Sequence, residues 1–209
     1  MTELFSSAWG DQDPSYLQAF HDHAGVEAGF ALPLCEEPHA ETFIRGAPPA
    51  FCAEADRDLL ERLLPKLDHA TRDFYRWNVP IGQEELQDLL RRKLDLELGA
   101  VRALVPLARG PSGRIVRLRV DGERGRAVLG KELEIRRALS ETHLYSSAFV
   151  VDTEGGGDGI PARFRLRGAG WGHGVGLCQI GAAVMAERGY GYREILAHYY
   201  RGAALGPGY

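Results

Sequence analysis

Patterns that hold a structural metal or fix a chain in a membrane are scarce in this sequence. Its three cysteines, Cys35, Cys52 and Cys178, include no Cys-x-x-Cys pair, which removes the usual frame of a structural zinc site. Their odd number leaves at least one thiol unpaired within the chain. Cys35 and Cys52 share one loop-rich stretch and are either a disulfide of an extracytoplasmic protein or two separate thiols. No apolar run approaches the ~20 residues of a membrane-spanning helix. The opening residues, Met-Thr-Glu-Leu-Phe-Ser-Ser, hold neither the basic nor the apolar part of a secretory signal. A basic excess is also missing: 25 Lys and Arg against 29 Asp and Glu give a formal net charge of −4, which argues against a general nucleic-acid binder. His21, Asp22, His23, Glu36, Glu37 and His39 crowd together without a standard ligand spacing, so no metal is expected there.

What remains is a globular composition, with 44% hydrophobic and 26% charged residues over 209 positions. Residues 1–53 read as irregular. Pro33, Pro38, Pro48 and Pro49 break the stretch 30–51, while Trp9, Tyr16, Leu17 and Phe20 are offered to a core. Residues 54–98 read as mainly helical. Leu59, Leu60, Leu63 and Leu64 form a helical stripe that Pro65 ends, and 73–79 reads as a short strand turned by Pro80, Ile81 and Gly82. The stretch 83–98 is an amphipathic helix carrying Leu86, Leu89, Leu90 and Leu94, with Gly99 as its stop.

From 99 to 209 the chain reads as a β-rich core followed by a helical pair. Val116, Leu118 and Val120 alternate with Arg117 and Arg119, and 121–125 turns into a second strand at 126–129. A short helix at 132–139 precedes strands at 147–152 and 162–167, the latter with Phe164 and Leu166 inward and Arg163, Arg165 and Arg167 outward. Helices follow near 180–188 and 192–200. The expected class is α+β: an antiparallel β-sheet with packed helices, and a C-terminal Gly-rich loop leading into two helices.

That loop is Gly168-Ala-Gly-Trp-Gly-His-Gly-Val-Gly-Leu-Cys-Gln179, in which five of twelve residues are glycine. Glycine weakens both helix and strand, so such a run marks backbone that bends tightly or approaches a ligand. Three readings compete. Cys178, near a helix start that lowers a thiol pKa, is a nucleophile candidate with His173 as its base. Alternatively, Trp171 stacks on a sugar ring while His173 and Gln179 hold its polar groups. Cleaving a glycan also needs a carboxylic acid. The loop has none, and Glu132, Glu134, Glu141 and Glu187 each read as surface or helix-terminal charges. In the third reading the loop is a structural corner and Trp171 fills a core gap.

The stretch Gly170-Trp-Gly-His-Gly-Val-Gly-Leu-Cys-Gln-Ile-Gly-Ala182, with Met185-Ala-Glu-Arg-Gly189 and Glu194-Ile-Leu-Ala-His-Tyr-Tyr200, closely resembles the C-terminal signature of the SpoIID/LytB family. This family includes the stage II sporulation protein D lytic transglycosylases and the amidase enhancers. Gly130-Lys-Glu-Leu-Glu-Ile-Arg-Arg-Ala-Leu139 with Ser146-Ser-Ala-Phe149, and Ala8-Trp-Gly with Ser15-Tyr-Leu17, resemble further family segments. The resemblance implies one SpoIID-like domain over 1–209 that lacks the family's N-terminal part, where the catalytic glutamate lies. It implies peptidoglycan glycan strands as ligand, a cell-wall amidase as a further partner, and an extracytoplasmic place in the cell envelope. Carried over, His173, Cys178 and Gln179 are the catalytic-cleft residues, and Trp171, Gly172, Gly174 and Gly176 hold substrate. No cofactor is implied; some members bind zinc, but their ligands have no counterpart here. Cys178 stands where sporulation-type members usually have serine.

Overall fold

Two antiparallel three-stranded sheets carry the fold in a computed structural model that describes residues 1–10, 12–23, 32–63 and 74–206. In chain order the elements are helices α1 (Phe5–Ala8) and α2 (Glu37–Gly46), a 3₁₀ turn (Phe51–Glu54), α3 (Arg57–Leu63), strand β1 (Arg76–Gly82) and α4 (Gln83–Leu94). Then come β2 (Val101–Arg109), β3 (Ile115–Gly122), β4 (Gly125–Gly130), α5 (Glu132–Ala138), β5 (Phe149–Glu154), β6 (Arg163–Ala169), α6 (Gln179–Glu187) and α7 (Tyr192–Tyr199). One sheet has the order β1-β6-β5 and the other β2-β3-β4. The α+β class holds, with the strands divided between two sheets.

Alternation sets the inner faces. On β6, Phe164 and Leu166 are fully buried, while Arg165 pairs with Glu154 and Arg167 with Asp152 on the outer face. Arg165 and Arg167 are therefore paired groups. Asp152 also binds Arg45 of α2, and the Arg45 and Arg167 guanidiniums hold its carboxyl at about 2. The central core joins Trp77 and Ile81 of β1, Leu86, Leu89 and Leu90 of α4, Leu118 and Val120 of β3, Ile135 of α5 and Phe149 of β5. A second cluster seats Ala40, Phe43 and Ile44 of α2 against Val150 and Ala169. A third packs Phe20, Phe51 and Leu59 against Val184, Met185 and Tyr199 of the C-terminal helices.

Several expectations need correction. Residues 1–53 are not uniformly irregular, because α2 runs through Pro38. The proline lies in the first helical turn, where its missing N–H has no intrahelical acceptor to lose. Pro80 and Ile81 do not turn the chain; they continue β1, pairing with Arg165 and Phe164. β1 is a sheet edge, which tolerates proline. Helix α4 stops at Leu94 with Asp95 left-handed at φ 56°, short of Gly99. Irregular pairing between β2 and β3 brings Ile115 into the core, while Val116 is only partly buried. Of the N-terminal aromatics Phe20 is buried, but Trp9 and Tyr16 are exposed. Leu64, Pro65 and Asp73 lie outside the described residues.

All three cysteines are free thiols. The thiol that acts on Cys52 is that of Cys178, and not Cys35. Among the described residues no helix is long and apolar enough to cross a membrane.

Candidate functional site

The central strand β6 delivers the chain into the glycine loop. There Gly170, Gly172, Gly174 and Gly176 all have positive φ, at 69°, 72°, 78° and 75°. The Gly-x-Gly-x-Gly-x-Gly spacing thus encodes a backbone left-handed at every second residue, which other residues rarely adopt. The first three of these glycines are anchored by hydrogen bonds. Gly170 N–H donates to Tyr75 O at 3.0 Å, and Trp77 Nε1 donates to Gly170 O at 3.0 Å. Gly172 N–H donates to Tyr145 O at 2.7 Å, and Glu3 N–H to Gly174 O at 3.0 Å.

Beneath the loop lies buried Arg114. Its Nε donates to Gly172 O at 3.0 Å and its Nη1 to Ser112 Oγ at 2.9 Å, while Ser112 Oγ donates to Glu3 Oε2 at 2.5 Å. Burial pushes the Arg114 pKa below the ordinary arginine value, opposed by the nearby Glu3 and Glu132 carboxylates. Glu132 and Arg136 of α5 form a second buried pair at 3.3 Å. Of the two readings of Glu132, the helix-terminal charge holds, since it opens α5, but it is buried and not at the surface.

The residues between the glycines point to different neighbours. Trp171 stacks on Phe74 at 4.7 Å and 22°, and meets Tyr145 at 5.0 Å. His173 lies 4.3 Å from the exposed Trp9 ring. Its Nδ1 accepts the Val175 N–H at 3.0 Å, so the neutral ring carries its proton on Nε2 as a donor. Cys178 caps α6, its sulfur accepting from Gly181 N–H at 3.4 Å. Gln179 is exposed on the first turn of α6.

A cavity of about 570 Å³ opens beside the loop, and Trp171, His173, Cys178, Gln179, Gly172 and Gly174 all line it. Gly176 does not; it is buried near Tyr200 and Leu17 and shapes the loop from behind. No local sequence signal announces Arg114, Asp22 and Cys52, which line the same cavity. Asp22 is buried and spends both oxygens: Oδ1 on His198 Nε2 at 2.9 Å and Oδ2 on Tyr199 O–H at 3.1 Å. Burial, with Asp22 alongside, pushes the Tyr199 phenol far above its usual range.

The helix start does not make Cys178 acidic. Its hydrogen bond with Cys52, together with burial, raises its pKa well above that of an ordinary thiol. A Cys178–His173 nucleophile pair therefore lacks an activated thiol. Among the described residues no three His, Cys, Asp or Glu side chains gather around one point.

Burial first, then Arg114, holds the His173 pKa below 6.5. The unfolded histidine takes up a proton as pH falls through its ordinary value, whereas the folded one resists it. Stability is therefore highest above that value and falls as pH drops from it toward the folded pKa. NMR should find the Nε2–H tautomer and a midpoint below 6.5. His21 and His143 are lowered in the same way, so His173→Gln should weaken the acid-side loss of urea resistance without abolishing it. A midpoint above 6.5 contradicts this geometry.

These features define an α+β domain whose glycine-rich loop, anchored on a buried arginine, forms one wall of a polar and aromatic cleft. Residues 3–176 match the model of a family described as a domain of unknown function (DUF8618), and the chain belongs to that family. It is also SpoIID/LytB-like over about a third of its length. It is 38% identical to stage II sporulation protein D of Bacillus amyloliquefaciens over 76 residues, 36% of this chain and 20% of that protein. It is 43% identical to the amidase enhancer of Bacillus subtilis (strain 168) over 72 residues, 34% of this chain and 9% of that protein. The matched stretches thus span a fifth or less of the relatives' own lengths.

Proposed function

We propose that the chain is a single SpoIID-like domain whose glycine-loop cleft holds a peptidoglycan glycan strand outside the cytoplasm, and that the full-length protein is a lytic transglycosylase. The observation that carries this reading is the loop itself. Trp171, backed by Phe74 and Tyr145, offers aromatic surface to the cavity beside the fixed Nε2–H donor of His173. An aromatic face next to oriented polar groups suits a sugar ring bearing hydroxyl and N-acetyl substituents. Gln179 adds an amide at the rim, and Gly172 and Gly174 let the backbone approach the ligand. Cys178 shapes the cleft by capping α6.

In the proposed reaction the C6 hydroxyl of N-acetylmuramic acid attacks its own C1. The C1–O6 bond forms as the glycosidic C1–O bond breaks, and the leaving oxygen takes up a proton, giving a 1,6-anhydro end without water. His173 orients the sugar by donating from Nε2; a carboxylic acid, for which the loop itself holds no candidate, protonates the leaving oxygen, and its carboxylate takes up the proton that the C6 hydroxyl releases. Digestion of purified peptidoglycan by that protein should release 1,6-anhydromuramyl products, and His173→Ala should reduce the yield at least about tenfold. Release of reducing ends only, or no release by the wild type, contradicts the transglycosylase.

One observation favours a second reading. Asp22, the carboxylate lining the cavity among the described residues, is tied by His198 and Tyr199. A cleft of this kind binds without cleaving. The protein is then a wall-binding module or an enhancer of a cell-wall amidase: retained on peptidoglycan, it stimulates added amidase and releases no anhydro ends.

A further inference from the structure

We propose that Cys52 and Cys178 form a redox dithiol, a disulfide-forming site on the wall of the glycine-loop cavity. Cys52 belongs to the 3₁₀ turn and Cys178 caps α6, and these two elements pack directly on each other. Their thiols influence each other directly, although the positions are far apart in sequence. Both line the cavity, so a small reagent entering it meets the pair. Cys35 is exposed immediately before α2 and is not part of this wall.

The pair is asymmetric. Hydrogen bonding with Cys178 holds the Cys52 thiol below its ordinary pKa, and the same contact holds Cys178 above it. With Cys52 as the attacking sulfur, Cys178 is the resolving one. The oxidant class is a small-molecule disulfide. The Cys52 thiolate attacks one of its sulfurs; the S–S bond breaks, a mixed disulfide forms, and the first reagent thiolate leaves and takes up a proton. Cys178 Sγ then loses its proton to solvent and attacks Cys52 Sγ. The Cys52–Cys178 bond forms as the second reagent thiol departs. The protein loses two hydrogen atoms with their electrons, and the reagent is reduced to two thiols.

The bond would tie the 3₁₀ turn to the residue that ends the glycine loop, restraining one cleft wall. This inference does not rest on the glycan reading.

The test is to hold the reduced full chain with excess oxidised glutathione, then block remaining thiols by alkylation and digest without reductant. The expected result is a protein lighter by two hydrogen atoms, one alkylated thiol at Cys35, and a cross-linked peptide joining positions 52 and 178. Cys35→Ser should form the same bond, whereas Cys52→Ser and Cys178→Ser should not. Because wild type and Cys35→Ser keep both thiols, the result stands even where the other variants fail to fold. Three alkylated thiols, a bond through Cys35, or stable glutathione adducts alone would overturn the proposal.

Discussion

Gly168→Val should lower the stability of this domain by about 3 kcal/mol or more, read from the shift of the urea midpoint. Gly168 stands on the central strand β6, level with Trp77 on one side and Phe149 on the other. Both aromatics are buried in the main core. A Cβ at 168 would fall inside the Trp77 indole, which lies across the glycine. The indole has nowhere to go, because its Nε1 donates to Gly170 O at 3.0 Å. A valine must therefore displace the core's largest side chain or push β6 away, and either movement shifts the first residue of the glycine loop. Against a total stability of typically 5–15 kcal/mol, the loss is severe. Gly46→Ala is the control: nothing lies within 4 Å of its added Cβ, and it should be neutral or slightly stabilising. A Gly168→Val variant within about 1 kcal/mol of wild type contradicts this packing.

Arg114→Leu is the second large effect, about 3–5 kcal/mol. The guanidinium is buried, supports Gly172 O, and reaches the Glu3 carboxylate through Ser112. Leucine removes the cation and leaves Glu3 buried beside Ser112 without it. The loop also loses the support under Gly172 and the guanidinium that packs on Gly174. Glycan retention should therefore fall together with stability, even under conditions where the variant is folded. Arg126→Gln, at an exposed position of β4, should stay within about 0.5 kcal/mol of wild type. If Arg114→Leu behaves like Arg126→Gln, the arginine does not hold the loop.

The loop was the most legible part of the chain. Glycine at every second position has a direct backbone meaning, and the structure gives each of the four a positive φ. Strands β3 and β6 were legible through their alternation, and the two helices after the loop through their apolar faces. Helix α2 was hidden because proline reads as a breaker, whereas at a helix start it is tolerated. Strand β2 lies inside the stretch read as β-rich but was not picked out by itself; its Pro106 is acceptable on a sheet edge.

The rest of the site was illegible because tertiary packing assembles it. Asp22 meets His198 and Tyr199 from the far end of the chain, and no local spacing announces that contact. Cys52 reads naturally with its sequence neighbour Cys35, yet the fold gives it Cys178. Glu132 lies among charges that suggest a surface, and only α5 docking beside β3 buries it with Arg136.

Titration of the purified protein with soluble glycan strands of alternating N-acetylglucosamine and N-acetylmuramic acid, followed by NMR, tests the cleft most directly. Shifts should concentrate on the Trp171 indole, His173, the amides of 172–176 and Gln179. Trp171→Ala should weaken binding at least about tenfold while the fold is kept. Shifts confined to another surface, or unchanged affinity in a folded Trp171→Ala variant, would contradict a glycan-holding loop.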